Sequence, residues 1–231
     1  MVVPPHLWLR SERPAAGRAI QLALPGALIV AGLVAPTMTP RLALIGSGAI
    51  FLVLVPAIIQ HYLESSAAKI AGASRASAAE LRRTLRGRAM VRLFAPSAWI
   101  ALQEAQLALR LGDGRAAAQG YAETARLCKR PDAVMLISAQ AHALVVAADR
   151  KPARELLDKL AAAKLLGPRD QLDLGIVMLL DSHKRSRQAM AYVEAARKTI
   201  GDHPRVIAAM ALGLQRAERI DEAAALLEKA Q

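Results

Sequence analysis

Between Arg18 and Arg41 the chain runs for 22 residues without a charge, and between Arg41 and Glu64 for another 22. No other feature restricts the fold as strongly. A helix needs about 20 apolar residues, at ~1.5 Å each, to cross ~30 Å of hydrocarbon. Each run therefore predicts one crossing. The link between them, from Pro36 to Arg41, is short and contains Pro36 and Pro40, so it can join only antiparallel neighbours. The expectation is a basic N-terminal segment over 1–18 and a two-helix transmembrane hairpin over 19–60. Pro25 and Pro56 stand about one turn inside the outer ends, where a lost backbone bond costs least. Small residues four apart, Ala27, Ala31 and Ala35 with Ala43 and Ser47, are the candidates for close helix approach. The alternative is a cleaved signal peptide followed by one crossing. Two buried helices of a soluble core fit runs of this length poorly.

Lys and Arg near the ends set the orientation. Residues 1–19 carry Arg10, Arg13 and Arg18 against Glu12. Residues 61–96 carry Lys69, Arg75, Arg82, Arg83, Arg86, Arg88 and Arg92 against Glu64 and Glu80, whereas the link holds only Arg41. Both termini are thus expected on the cytoplasmic side, in a membrane of bacterial inner-membrane type. Residues 61–96 are expected to form a basic juxtamembrane helix, closed by Pro96, with Ser97 capping the next helix. Within it Arg82, Arg83, Arg86 and Arg88 form a cluster suited to anionic headgroups, at ~1 kcal/mol per basic residue near the surface. The plainer alternative is that these charges enforce topology and stay solvated. The cluster lacks interleaved aromatics and any groove-reading motif, which argues against nucleic acid. No Asp, Glu, Lys or Arg interrupts either apolar run, which disfavours a transporter or channel.

From residue 97 onward the pattern changes. The chain is 54% hydrophobic but only 3% aromatic, an Ala- and Leu-rich helix composition that argues against β-sandwiches and barrels. Breaks at 112–114, 129–132, 148–152, 167–168, 183–186, 201–204 and 218–220 divide residues 97–231 into eight helices, or four pairs. A period follows from aligning the second helices. Ala117, Ala153, Ala189 and Ala223 recur at 36, 36 and 34 residues. Four residues later stand Tyr121, Leu157, Val193 and Leu227, and three further on Thr124, Leu160, Ala196 and Ala230. Twelve residues before the alanines stand Ala105, Ala141, Val177 and Ala211. A small residue lets two helices approach, and the large one a turn later fills the groove between neighbouring pairs. One pair cannot bury its apolar face alone, but a stack can.

This pattern resembles the tetratricopeptide repeat (TPR) family, whose unit is a ~34-residue helix–turn–helix. The stretch from Arg219 to Ala230 resembles the family's second helix, and Leu111–Arg115 its inter-helix turn. Pro131, Pro168 and Pro204 stand near unit boundaries. The family's Trp and its first-helix Gly or aromatic are mostly absent. The resemblance implies an all-α chain, the hairpin followed by a TPR-like α-solenoid of about four helix pairs over 97–231. It also implies a concave groove lined by first helices, which takes a protein or peptide partner. The candidates on that groove are Gln103, Gln106 and Arg110, then Ser138, Gln140 and His142, then Asp173 and Met178, then Met210. No polar helix caps the last unit, so a partner or a second copy of the chain is expected to cover Leu226 and Leu227.

Nothing in the sequence supports chemistry. His6, His61, His142, His183 and His203 are scattered without metal-ligand spacing, so no metal site is expected. Cys128, beside Lys129 and Arg130, is the single cysteine and has no partner motif for a nucleophile. Gly46-Ser47-Gly48 lies within an apolar run and is no phosphate loop. No nucleotide, zinc or hydrolase motif is present, so neither catalytic residues nor a cofactor are expected. The expected function is a membrane-anchored scaffold or adaptor at the cytoplasmic face. The alternative is a structural subunit of a larger membrane complex, with the solenoid as its docking lobe.

Overall fold

A computed structural model describes residues 15–127, 133–181 and 185–228. The segment 1–14 with Arg10, Arg13 and His6, and Cys128, His183 and Ala230, lie outside the described residues. The fold is all-α, and no strand occurs among the described residues. Among the described residues twelve helices run in order: α1 Ala15–Val34, α2 Met38–Ala71, α3 Arg75–Leu85, α4 Ala89–Phe94, α5 Ser97–Arg110, α6 Gly114–Leu127, α7 Ala133–Val146, α8 Arg150–Ala162, α9 Pro168–Asp181, α10 Ser186–Ile200, α11 Pro204–Arg216 and α12 Ile220–Glu228. The chain divides into two compact units, 1–111 with 123–129, and 112–122 with 130–231.

In the first unit α2 is a single rod of 34 residues, about 51 Å long. It is long and apolar enough to cross a membrane, with a mean hydropathy of 2.6 over its best window. Its two halves differ in burial. Ile50, Phe51, Leu52, Val53, Leu54 and Ile58 are exposed, whereas Ile59, Leu63, Ala67 and Ile70 are buried. α4 and α5 also pack against α2. Most of the exposed large apolar side chains among the described residues lie between Ile20 and Ile58. α1 packs along α2 but is a shorter apolar element. Its uncharged part, Ala19–Val34, measures roughly 24 Å at 1.5 Å per residue.

The two helices run antiparallel, and glycines set their contact. A Cβ on Gly32 would lie 2.7 Å from Ile45, and one on Gly48 2.9 Å from the Pro25 carbonyl. Ala27, Ala31, Ala43 and Ser47 face outward instead, so the close approach lies on a neighbouring stripe. The alanine spacing misled because Ala-rich helices produce it on every face. At the tip, Arg41 Nη2 donates to Leu33 O at 2.9 Å, satisfying a carbonyl at the end of α1.

The expected single helix over 61–96 is instead three pieces. α2 ends at Gly72, α3 starts from Ser74, whose hydroxyl accepts from the Ser77 N–H, and α4 follows after Gly87. Ser97 is the first residue inside α5 rather than its cap, since Pro96 holds the extended capping conformation. Arginines tie this unit together. Arg110 donates to Ala73 O at 2.9 Å and to Ala71 O, and Arg75 donates to Leu111 O at 3.4 Å. Arg110 thus satisfies carbonyls at the end of α2 and Arg75 one at the end of α5, where cations are favoured.

In the second unit consecutive helices from α7 to α12 pack on one another, and α7, α9 and α11 also pack in a row. The aligned alanines Ala153, Ala189 and Ala223 are buried, as are Leu157, Val193, Leu160 and Ala196. The backbone repeats as well. Ala148 and Glu218 take φ of 57° and 62° at the turns after α7 and α11, and Gly112 takes 84° after α5. At the first two, the next residue's N–H returns to a carbonyl five residues back, Leu144 and Leu214. This is the hydrogen-bond closure of a left-handed helix cap. Only Gly112 is the residue type such a turn prefers.

Because Ala189 sits on Gly175, whose Cβ would come within 3.0 Å of the Ala189 carbonyl, a larger side chain there has no space. Ala189→Leu and Ala153→Leu are each expected to lower unfolding stability by ~1–3 kcal/mol. Urea unfolding of the detergent-solubilised chain measures this, and unchanged midpoints for both would show that the aligned register is wrong.

Candidate functional site

The row of first helices α7, α9 and α11 carries a chain of polar side chains across its width. α7 contributes Ser138 and His142, one turn apart. α9 contributes Arg169, Asp170 and Asp173 from its first two turns, and α11 contributes Arg205 from its first. Pro168 and Pro204 open these two helices, which suits a position whose N–H has no intrahelical partner.

Asp173 is the hub and is 0% exposed. Its Oδ2 lies 2.7 Å from His142 Nδ1, and its Oδ1 accepts from Arg205 Nη2 at 2.7 Å. Arg169 Nη2 lies 2.6 Å from His142 Nε2. An arginine can only donate, so Nε2 accepts and Nδ1 carries the proton toward the carboxylate. The two partners thereby fix the orientation of the imidazole ring. Beside it Ser138 donates to Asp170 Oδ1 at 2.5 Å, and the Gly167 N–H donates to Asp170 Oδ2 at 3.0 Å.

Burial sorts these groups by sign. Asp170, Asp173 and His142 are buried, whereas Arg169 is exposed and Arg205 half-exposed. Acids lie beneath and guanidiniums stand above them. Each guanidinium spends one nitrogen on its buried acceptor, which holds it in place. Buried carboxylates of this kind are held only by such pairing. The arrangement is poorly suited to proton transfer. The nitrogen that a general base would use is occupied by Arg169, and the nearest hydroxyl, Ser138, is committed to Asp170. No group of three or more His, Cys, Asp or Glu side chains is placed to hold a metal among the described residues.

Two of the sequence candidates, His142 and Asp173, therefore meet directly, and Ser138 joins them through Asp170. Gln140 is half-buried on α7, Met178 is buried in the core and Met210 packs against it. The α5 candidates take other roles. Gln103 is 1% exposed, and its Oε1 has no hydrogen-bond partner among the described residues. Gln106 is half-buried, and Arg110 serves the carbonyl end of α2. Arg169, Asp170 and Arg205 were not singled out in the sequence. Their signal was present, since Pro168-Arg169 and Pro204-Arg205 stand 36 residues apart, the interval of the aligned alanines.

The basic cluster in the first unit is also divided. Arg86 pairs with Glu104, at 2.5 Å from Nε and 2.8 Å from Nη2, and this hydrogen bond raises its pKa further. Arg83 is exposed, and Arg88 is half-buried in the wall of a pocket beside the end of α2. Compared with protein-family models, curated proteins and solved structures, the chain matches none.

Proposed function

We propose that the chain is a membrane-anchored adaptor without chemistry of its own. α1 and α2 form the anchor, both crossing the bilayer, with the rest of the described chain on the cytoplasmic side of a bacterial-type inner membrane. α1 is somewhat short for a crossing, which local thinning of the bilayer accommodates at modest cost. Lys and Arg are concentrated in 61–96 and sparse at the tip, which supports this orientation. The helix pairs beyond are a TPR-like solenoid, and its first-helix face binds a protein or peptide partner.

The observation that carries this reading is the polar row Arg169–His142–Asp173–Arg205 across α7, α9 and α11. A stability core does not need charges, and replacing a buried ion pair by apolar groups is often neutral or stabilising. Here the buried acids position two guanidiniums at the surface, as a rigid recognition face requires. Exposed Ile220 and Leu227 on α12 favour a partner that covers the end of the array as well.

A photo-crosslinking residue placed at position 169 tests the reading against one at Lys151, exposed on the second helix α8. In membranes containing the full chain, position 169 is expected to crosslink to a polypeptide and position 151 to give none. Equal crosslinking at both, or none at 169, would overturn it.

A further inference from the structure

A pocket of about 450 Å³ opens in the first unit beside the end of α2, with Lys69, Ser77, Glu80, Thr84 and Arg88 on its wall. Several other cations of this unit have partners. Arg41, Arg75 and Arg110 serve carbonyls, and Arg86 holds Glu104. The side chains of Lys69, Arg88 and Glu80 make no hydrogen bond or ion pair among the described residues. Two unpaired cations thus share one pocket with one unpaired acid. The Ala71 and Ala73 carbonyls, which would repel an anion here, are already taken by Arg110.

The height of the pocket identifies its ligand, given the membrane reading proposed above. Counting about 20 residues of hydrocarbon from Arg41 puts the membrane edge near His61. The Lys69 backbone then stands ~12 Å beyond that edge. Helical side chains tilt toward the helix N-terminus, so the Lys69 ammonium leans back toward the bilayer and into the headgroup layer. We infer that this pocket binds the headgroup of a phospholipid. The phosphate lies between Lys69 and Arg88, and a headgroup amine lies against Glu80. The charge pattern therefore selects a phosphoethanolamine headgroup over a glycerol one.

The test uses the full chain in mild detergent and follows the shift in thermal unfolding midpoint. The probes are short-chain phosphatidylethanolamine, phosphatidylglycerol and phosphatidylcholine, with free phosphoethanolamine as the soluble arm. Phosphatidylethanolamine is expected to raise the midpoint most. Lys69→Gln and Arg88→Gln are each expected to weaken its apparent affinity about fivefold. Glu80→Gln is expected to keep the phosphate response and erase the preference over phosphatidylglycerol. Lys69 and Glu80 are exposed, so the variants at these two positions fold. An equal response to free phosphoethanolamine would make the ligand a soluble phosphate and overturn the lipid assignment. No headgroup response, or one that Lys69→Gln and Arg88→Gln leave unchanged, would overturn the site. Alkaline carbonate extraction of membranes separates the two levels. A chain that is extracted ends the membrane reading itself, and one that is retained without any headgroup effect ends only this inference.

Discussion

Asp173→Ala is expected to destabilise the chain by about 3–5 kcal/mol, the range for breaking a buried charge pair from one side. Asp173 accepts from two helices at once, and it is fully buried, so water cannot take its place. Its loss leaves the His142 Nδ1–H buried without an acceptor and frees Arg205 from α9. Asp173→Asn keeps the shape and one acceptor, and its expected loss is smaller. The informative comparison is the triple variant His142→Leu, Asp173→Leu, Arg205→Met. Here donors and acceptors leave together, so stability is expected to return toward that of the parent. Urea unfolding of all three variants checks this order. If the single alanine variant were no less stable than the triple one, the polar row would carry no cooperative weight. Should the triple variant fold and still crosslink through position 169, the row would be irrelevant to binding.

The sequence displayed some of this and concealed the rest for identifiable reasons. The charge-free run of α2 is legible because it is unbroken over a length sufficient to cross a membrane. Where its exposed half stops is not legible. Ile58 and Ile59 are chemically the same, yet one is exposed and the other buried, because helical neighbours face different directions. The helix contact in the pair α1 and α2 was assigned to alanines, whereas the backbones meet at Gly32 and Gly48. The aligned alanines Ala153, Ala189 and Ala223 are buried, and at Ala189 the backbone lies close to Gly175. The turns at Ala148 and Glu218 were legible only as breaks, since neither residue advertises a left-handed backbone. Polar positions on first helices suggested His142 and Asp173, but they also suggested Gln103 and Arg110, which are buried or engaged elsewhere. Arg169 and Arg205 escaped because an arginine in the first turn of a helix reads as an ordinary solvated charge. Its role depends on the acid one helix away.

The repeat itself makes a paired prediction. Leu157 and Leu227 occupy the same place in the aligned pattern, the large residue four positions after the small one. In α8 Leu157 is 0% exposed and belongs to the core shared with Ala141, Leu172, Val193 and their neighbours. In α12 Leu227 is 45% exposed. Leu157→Ala removes buried methyl groups and leaves a cavity between helices, at an expected ~2–5 kcal/mol. Leu227→Ala removes the same atoms from a half-open surface, where changes are usually within about 0.5 kcal/mol. Identical substitutions at equivalent positions thus differ because α8 is followed by another pair and α12, among the described residues, is not. Thermal unfolding of the two variants measures the contrast. Equal losses would mean that Leu227 is covered in the folded protein, by a second copy or by another part of the chain. A small loss at Leu157 would mean that the periodic pattern does not describe how these helices pack.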